Sequence, residues 1–406
     1  MRRPYCSTIS PLGGNSGKIL FLTDFYQNGA CMKKQAYLIA PLFLLLLAAS
    51  LSAADPQADR GIYDMFHHQV ISLQEMSYNC SAAAALVMRD GKILYEEYFG
   101  TTHKGPGAGK ITADSRFPYY SVSKEFGCAV LLSLVTEGKL GLDDPVVKYL
   151  DYFKGPGPGG AFPREKVTLR QLASHTSGVV LKGEKEPEGE QPFAGVTLEF
   201  EPGSGWHYNE LGMKILAAVM QKVTGKPYEM LLRERILEPL ELKSVGWVNP
   251  GDNLAGVVYT FYGPDSSRID YSGKPYPGSG LFGNMRDLLR FAQLWLDGGK
   301  IGDKMVFRKE LIQEAWTDQV RGKGPSPDTE YGLMFWLLSD YHAAFLAGAA
   351  QTVTAVLPDQ NIIVLMGLNQ CDGSPGWGRP PVAHSRIALM GIALADLLDR
   401  QSKGGH

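Results

Sequence analysis

The sequence predicts an α/β fold of the α+β kind: an antiparallel sheet assembled from both ends of the chain, flanking helices, and a mainly helical domain inserted between them. Three observations carry this. Strand-like runs fall in two distant regions, 83–100 and 350–368. Helical periodicity fills the middle, over 211–224, 228–237 and 285–296. The Gly- and Pro-rich or charged loops there, 155–160 and 183–192, are too short to link independent domains.

At the beginning, Met32 opens the run MKKQAYLIAPLFLLLLAASLSAADP, where Lys33 and Lys34 precede an apolar stretch and then small residues. That is the layout of a secretory signal peptide over 32–54, cleaved before Asp55. The apolar run is shorter than the ~20 residues a membrane span needs, which disfavours a permanent anchor. Residues 1–31 lack the pattern and read as an upstream extension, with translation starting at Met32. The expectation is an exported protein, periplasmic or secreted, whose mature part is one catalytic unit over 55–406. Its sheet layer comes from about 55–117 and 330–406, and its helical insert from about 118–329.

Within that unit, Ile62, Met65, Phe66, Val70 and Leu73 mark an amphipathic helix over 59–76. Two strands follow around the turn Asp90-Gly91. A helix over 123–137 ends in the turn residues of 138–145. Late strands over 350–357 and 362–368 flank the turn 358–361, and a helix over 386–400 closes the chain.

With 40 basic and 42 acidic residues the net charge is −2, too balanced to gather nucleic acid. Beyond the signal peptide, Cys80, Cys128 and Cys371 leave room for at most one bridge and lack the close pairs of a zinc site. No metal or cofactor is expected. Adjacent His67 and His68 point apart on a helix, which disfavours a shared metal. Lys110 follows a glycine-rich stretch, but Gly105 is one residue too close for a phosphate loop and Ile111 stands where Ser or Thr should be. There is no GxSxG elbow and no HExxH motif.

The sharpest chemical signal is Ser121-Val122-Ser123-Lys124 at a helix start. Residues three apart share a helix face, so Ser121 and Lys124 can touch. A serine hydroxyl needs a base, and a lysine serves if burial and the positive helix end push its pKa down. By itself this short motif is weak, and its bland reading is an N-cap serine beside a solvated lysine.

Its surroundings resemble the family of class C β-lactamases, penicillin-binding proteins and related esterases. The resembling segments are Asp114-Ser115-Arg116-Phe117 leading into Ser121 to Lys124, then Val167 to Gly178 (VTLRQLASHTSG), Pro202 to Tyr208 (PGSGWHY), Gly280-Leu281-Phe282 and Arg286-Asp287-Leu288. They occur in family order. The resemblance implies a β-lactamase/transpeptidase-like fold, a covalent acyl-enzyme at Ser121, Lys124 as its proton acceptor, and Tyr208 as a partner in proton transfer to the leaving group. A nearby cationic lysine is expected to lower the phenol pKa. In this family the segment containing His175 is a structural turn rather than part of a triad.

Two departures from the family pattern stand out. Where its tyrosine motif ends in Asn, this chain has Glu210, which would hold Lys124 protonated if the two met, unless Glu210 itself takes protons. It could equally face solvent. The family's late-strand Lys-Thr-Gly or His-x-Gly is missing, and the nearest candidate is His342-Ala343-Ala344, before Phe345-Leu346-Ala347-Gly348, with alanine where glycine is expected. Glu210 and His342 are therefore candidate site residues beside Ser121, Lys124 and Tyr208.

Without that lysine, nothing obvious holds a β-lactam or peptide carboxylate, so the expected substrate is a small or peptide-like ester or amide. A β-lactamase or D,D-peptidase is the alternative. A non-catalytic binding or sensor protein on the same fold is a second.

Overall fold

The computed structural model describes residues 80–181, 189–263, 266–271, 273–326 and 329–369, and isolated positions 64, 67, 68, 391, 393, 394 and 400. The expected signal peptide and Cys371 lie outside these residues, as do nearly all of the expected first and last helices. The described residues all belong to one compact unit, Pro56–His406.

Its centre is a six-stranded antiparallel sheet. The strands are β1 (Ala82–Arg89), β2 (Lys92–Gly100), β3 (Trp336–Leu338), β4 (Ala343–Ala347), β5 (Val353–Leu357) and β6 (Ile362–Leu368). Their spatial order is β3-β4-β5-β6-β1-β2, so β1 from the beginning of the chain pairs with β6 from its end. The sheet is thus built from both chain ends, as the sequence predicts.

Local chemistry accounts for these strands. Asp90 and Gly91 both take positive φ, 50° and 72°, the twist that a tight hairpin between β1 and β2 requires. β1 begins with four alanines and is buried from Ala82 to Met88, as befits a central strand covered on both faces. On the opposite side of the pairing, β6 is buried throughout.

The helices are α1 (Ser123–Thr136), α2 (Leu169–Ala173), α3 (Leu211–Thr224), α4 (Tyr228–Leu232), α5 (Met285–Leu296) and α6 (Lys309–Ala315). Thr168 and Gln171 form a capping box at the start of α2, and the Asn284 side chain accepts from Asp287 N–H at the start of α5. α1 is buried on every side from Ser123 to Leu134, with the polar Ser123, Lys124 and Glu125 in its first turn and a mainly apolar run after them.

Between the sheet segments the chain is not purely helical. Short antiparallel pairs join Val179–Leu181 to Val196–Leu198 and Thr260–Gly263 to Ser266–Arg268. Of the late strands, β5 starts at Val353, three residues after the predicted start, because the chain turns there: Gly348 N–H bonds Thr352 C=O and Gln351 sits at φ 65°.

β4 matters most for function, because its end lies on the segment that carries Ser121. A Cβ at Gly348 would stand 2.3 Å from the Tyr119 carbonyl oxygen and 3.2 Å from the Tyr120 Cβ, so only glycine allows this approach. Gly348→Ala is expected to force strand and loop apart, lowering stability by about 1–3 kcal/mol in urea unfolding. An unchanged midpoint would show the contact to be loose.

Candidate active site

Ser121 stands on a single 3-10 turn, Tyr120–Val122, that runs into α1. Tyr120 just before it takes φ 44°, a left-handed conformation that costs a non-glycine residue roughly 1–2 kcal/mol. The tyrosine is held there by its hydroxyl, which donates to Asp270 and lies 3.1 Å from Thr260 Oγ1. This bend presents Ser121 at the helix start, one turn from Lys124.

Lys124 is fully buried. Its Nζ donates to Ser121 Oγ at 3.3 Å, to Glu210 Oε1 at 2.6 Å and to the Gly278 carbonyl at 2.9 Å. Burial disfavours the ammonium, but the Glu210 carboxylate and the Tyr208 phenol outweigh it, and the Lys124 pKa is raised. This corrects the expectation of a lysine tuned towards neutrality by burial and the helix end, and realises the alternative that the sequence left open, in which Glu210 meets Lys124 and holds it protonated.

Tyr208 joins the pair. Lys124 Nζ lies 4.8 Å from its ring centre, and Ser121 and Lys124 are near enough to its hydroxyl to favour the ionised phenol. Burial nevertheless pushes the phenol up, and the nearby ammonium only partly offsets this. The expected lowered phenol is therefore not found, since desolvation exceeds the charge effect.

The ring is fixed by stacking on Trp336 of β3, 8° from parallel at 6.1 Å, and by His175 at 4.3 Å. His175 is completely buried, and its Nδ1 accepts the Asn209 N–H at 3.4 Å. Burial first, and Lys124 second, hold its pKa well below the ordinary 6.5. It is a neutral ring supporting Tyr208, and its turn is structural.

The departure at Glu210 resolves into two tasks. Asn209 Oδ1 accepts from Gly212 N–H at 3.1 Å and secures the start of α3, while Glu210 turns inward to Lys124. The loop around Gly278 completes the site. Gly127 of α1 lets it close in, because a Cβ there would stand 2.5 Å from Pro277 Cβ. Nothing in the sequence pattern marked Gly278 or Tyr276; their part depends on the path of a loop.

His342 is not brought to the site. It caps the turn before β4, with its ring 73% exposed and paired with Asp359 at 2.6 Å. Six steps of about 3.3 Å each along the strand separate it from Gly348, the end that meets the nucleophile segment. The segment His342-Ala343-Ala344 resembles the family's late-strand motif only in part, with alanine in the glycine position, and it is Gly348 at the other end of β4 that meets the nucleophile segment.

Ser121 opens on a cavity of about 220 Å³ lined by Tyr120, Tyr208, Glu210, Tyr276 and Ser279. Tyr120, Tyr276 and Ser279 also line a neighbouring cavity of about 810 Å³ whose walls include Phe193, Ala217 and Leu281.

A serine bonded to a buried lysine across one helical turn, with a tyrosine beside both and the end of β4 alongside, is the kind of constellation that an activated serine nucleophile requires. The chain belongs to the Beta-lactamase family, whose model matches residues 64–379. It is 27% identical over 253 residues to Esterase EstB of Burkholderia gladioli, covering 51% of this chain and 64% of that protein. To a D-aminopeptidase of Brucella anthropi it is 27% identical over 270 residues, covering 60% of this chain and 48% of the relative. The matches thus span less than two thirds of either relative. A class C beta-lactamase structure superposes with a TM-score of 0.68 at 16% identity, covering 84% of this chain and 98% of that one.

One buried group beside the site has no role in this arrangement. Glu125 is completely buried with neither oxygen hydrogen-bonded among the described residues, and burial raises its pKa well above 4.5. The unfolded chain releases this proton above about pH 4.5 while the folded chain keeps it, so Glu125 costs stability as pH rises from there. Glu125→Gln is expected to gain on the wild type by up to about 1.4 kcal/mol per pH unit above that point in denaturant titrations. A pH-independent difference would contradict a neutral Glu125.

Proposed function

We propose that this protein hydrolyses esters or amides through an acyl-enzyme on Ser121. The observation that carries the reading is the contact of Ser121 Oγ with the buried Lys124 Nζ at 3.3 Å, on the wall of a cavity open to substrate. In acylation Ser121 attacks the carbonyl carbon, and the Ser121 N–H with backbone near Gly348 holds the developing oxyanion. Tyr208 gives a proton to the departing alcohol or amine. Water then releases the acid and restores the serine.

The substrate is a small or peptide-like ester or amide, with the esterase and amidase readings preferred to a β-lactamase or D,D-peptidase. β4 presents Phe345-Leu346-Ala347-Gly348 towards the nucleophile segment, a run without the cation that a β-lactam or peptide carboxylate would pair with. Similarity to an esterase and to a D-aminopeptidase supports the same choice. The larger cavity falls within the roughly 300–1,000 Å³ typical of small-molecule sites and suits a bulky apolar group on the substrate. The signal-like segment 32–54 supports export to the periplasm or beyond. Among the described residues no helix is long and apolar enough to cross a membrane.

Steady-state assays on residues 55–406 separate these readings. Turnover of p-nitrophenyl acetate at least about 100-fold above Ser121→Ala is expected, with kcat/KM for nitrocefin well below that for the ester. Nitrocefin as the better substrate would make it a β-lactamase. No Ser121-dependent turnover of either would favour a binding protein.

A further inference from the structure

An ammonium has three N–H donors and no lone pair. Lys124 Nζ spends its donors on Ser121 Oγ, Glu210 Oε1 and the Gly278 carbonyl, at 3.3, 2.6 and 2.9 Å, with the Tyr208 hydroxyl alongside. Held this way, Lys124 cannot receive the serine proton until it has given one up. Of the three groups accepting from it, a carbonyl and a serine hydroxyl are far too weakly basic to keep that proton. The carboxylate can.

We propose that Glu210 is the terminal proton acceptor of this site, with Lys124 as the relay between it and Ser121 and Gly278 as the residue that positions both. The inference rests on the acyl-enzyme reading above. Gly278 acts twice. Its carbonyl fixes Lys124, and its missing side chain makes room for Glu210: a Cβ there would stand 1.9 Å from Glu210 Oε2 and 2.4 Å from Tyr276 Cε2. Oε2 is buried and has no hydrogen-bond partner among the described residues. The carboxylate is therefore packed against the glycine by shape, with Oε1 left on Lys124. Asn209, by securing the start of α3, points the adjacent Glu210 inward.

The proton count closes. As Ser121 Oγ forms its bond to the carbonyl carbon, its proton passes to Nζ while Nζ hands one of its own to Glu210 Oε1. When the tetrahedral intermediate collapses, the bond to the leaving group breaks and Tyr208 protonates the departing oxygen or nitrogen. Tyr208 is refilled from Lys124, and Lys124 from Glu210. The sum is transfer of the serine proton to the leaving group, with every side chain restored. Deacylation repeats the sequence with water as nucleophile and Ser121 as leaving group.

Glu210→Gln decides the matter, because glutamine still accepts a hydrogen bond from Lys124 but cannot hold its proton. Pre-steady-state acylation by p-nitrophenyl acetate is followed as the p-nitrophenol burst across neutral to alkaline pH, with intact mass confirming the adduct. The relay predicts a fall of about 100-fold or more at every pH, the scale of a lost general base. If Glu210 instead merely traps Lys124 in its charged form, removing the charge frees the lysine, and the variant acylates as fast as the wild type or faster towards alkaline pH. That result overturns the relay. Should Glu210→Gln fail to fold, Gly278→Ala, which pushes the carboxylate off Lys124, is expected to show the same loss, and its full activity overturns the relay equally. A wild-type enzyme that takes no acyl group on Ser121 sinks the hydrolase reading itself, and the relay with it, whereas a labelled wild type beside a fast variant sinks the relay alone.

Discussion

Everything at this site depends on a lysine ammonium taken wholly out of water. Desolvating such a charge costs several kcal/mol unless it is paired and hydrogen-bonded. Here the pairing comes from three separate parts of the chain: the helix start that carries Ser121, the start of α3 that carries Glu210, and the loop at Gly278. Because each must arrive within hydrogen-bonding distance of one nitrogen, the ion ties together segments more than 150 positions apart in sequence. The close contacts at Gly127, Gly278 and Gly348 serve that convergence, each allowing a backbone to come nearer than any side chain would permit.

The same pairing shapes the chemistry. Burial opposes charge on Lys124 and on Tyr208 alike, yet the two end differently, because Glu210 compensates the lysine and no cation compensates the phenol fully. The resting site is a neutral unit of one ammonium and one carboxylate, with a protonated phenol beside it. Its aromatic backing, with Trp336 and His175 against Tyr208, limits movement of the ring that must deliver a proton.

Much of the fold was legible in sequence where a local rule applies. Asp90-Gly91 marked the first hairpin, and the limits of α3, α5 and β6 were read correctly from periodicity. The nucleophile and its lysine were legible for the same reason, since spacing within one helical turn is a local property. Tyr208 came from resemblance, and the structure places it with them. What was not legible depends on long-range approach. Whether Glu210 meets Lys124 or water is decided by how α3 docks, and Gly278 lies in a loop that no periodicity describes. The misplacement of His342 has the same origin: neither the strand over 343–347 nor which of its ends meets Ser121 follows from local pattern, since both depend on sheet order and register.

The central claim, that Ser121 is the residue that carries the acyl group, is tested most directly by acid-quenching the enzyme during turnover of a p-nitrophenyl ester and mapping the adduct by peptide mass spectrometry. The account predicts an acyl mass on the peptide containing Ser121, which disappears as substrate is exhausted. An adduct on any other residue, or turnover without any adduct in the Ser121 peptide together with undiminished activity in Ser121→Ala, would contradict it.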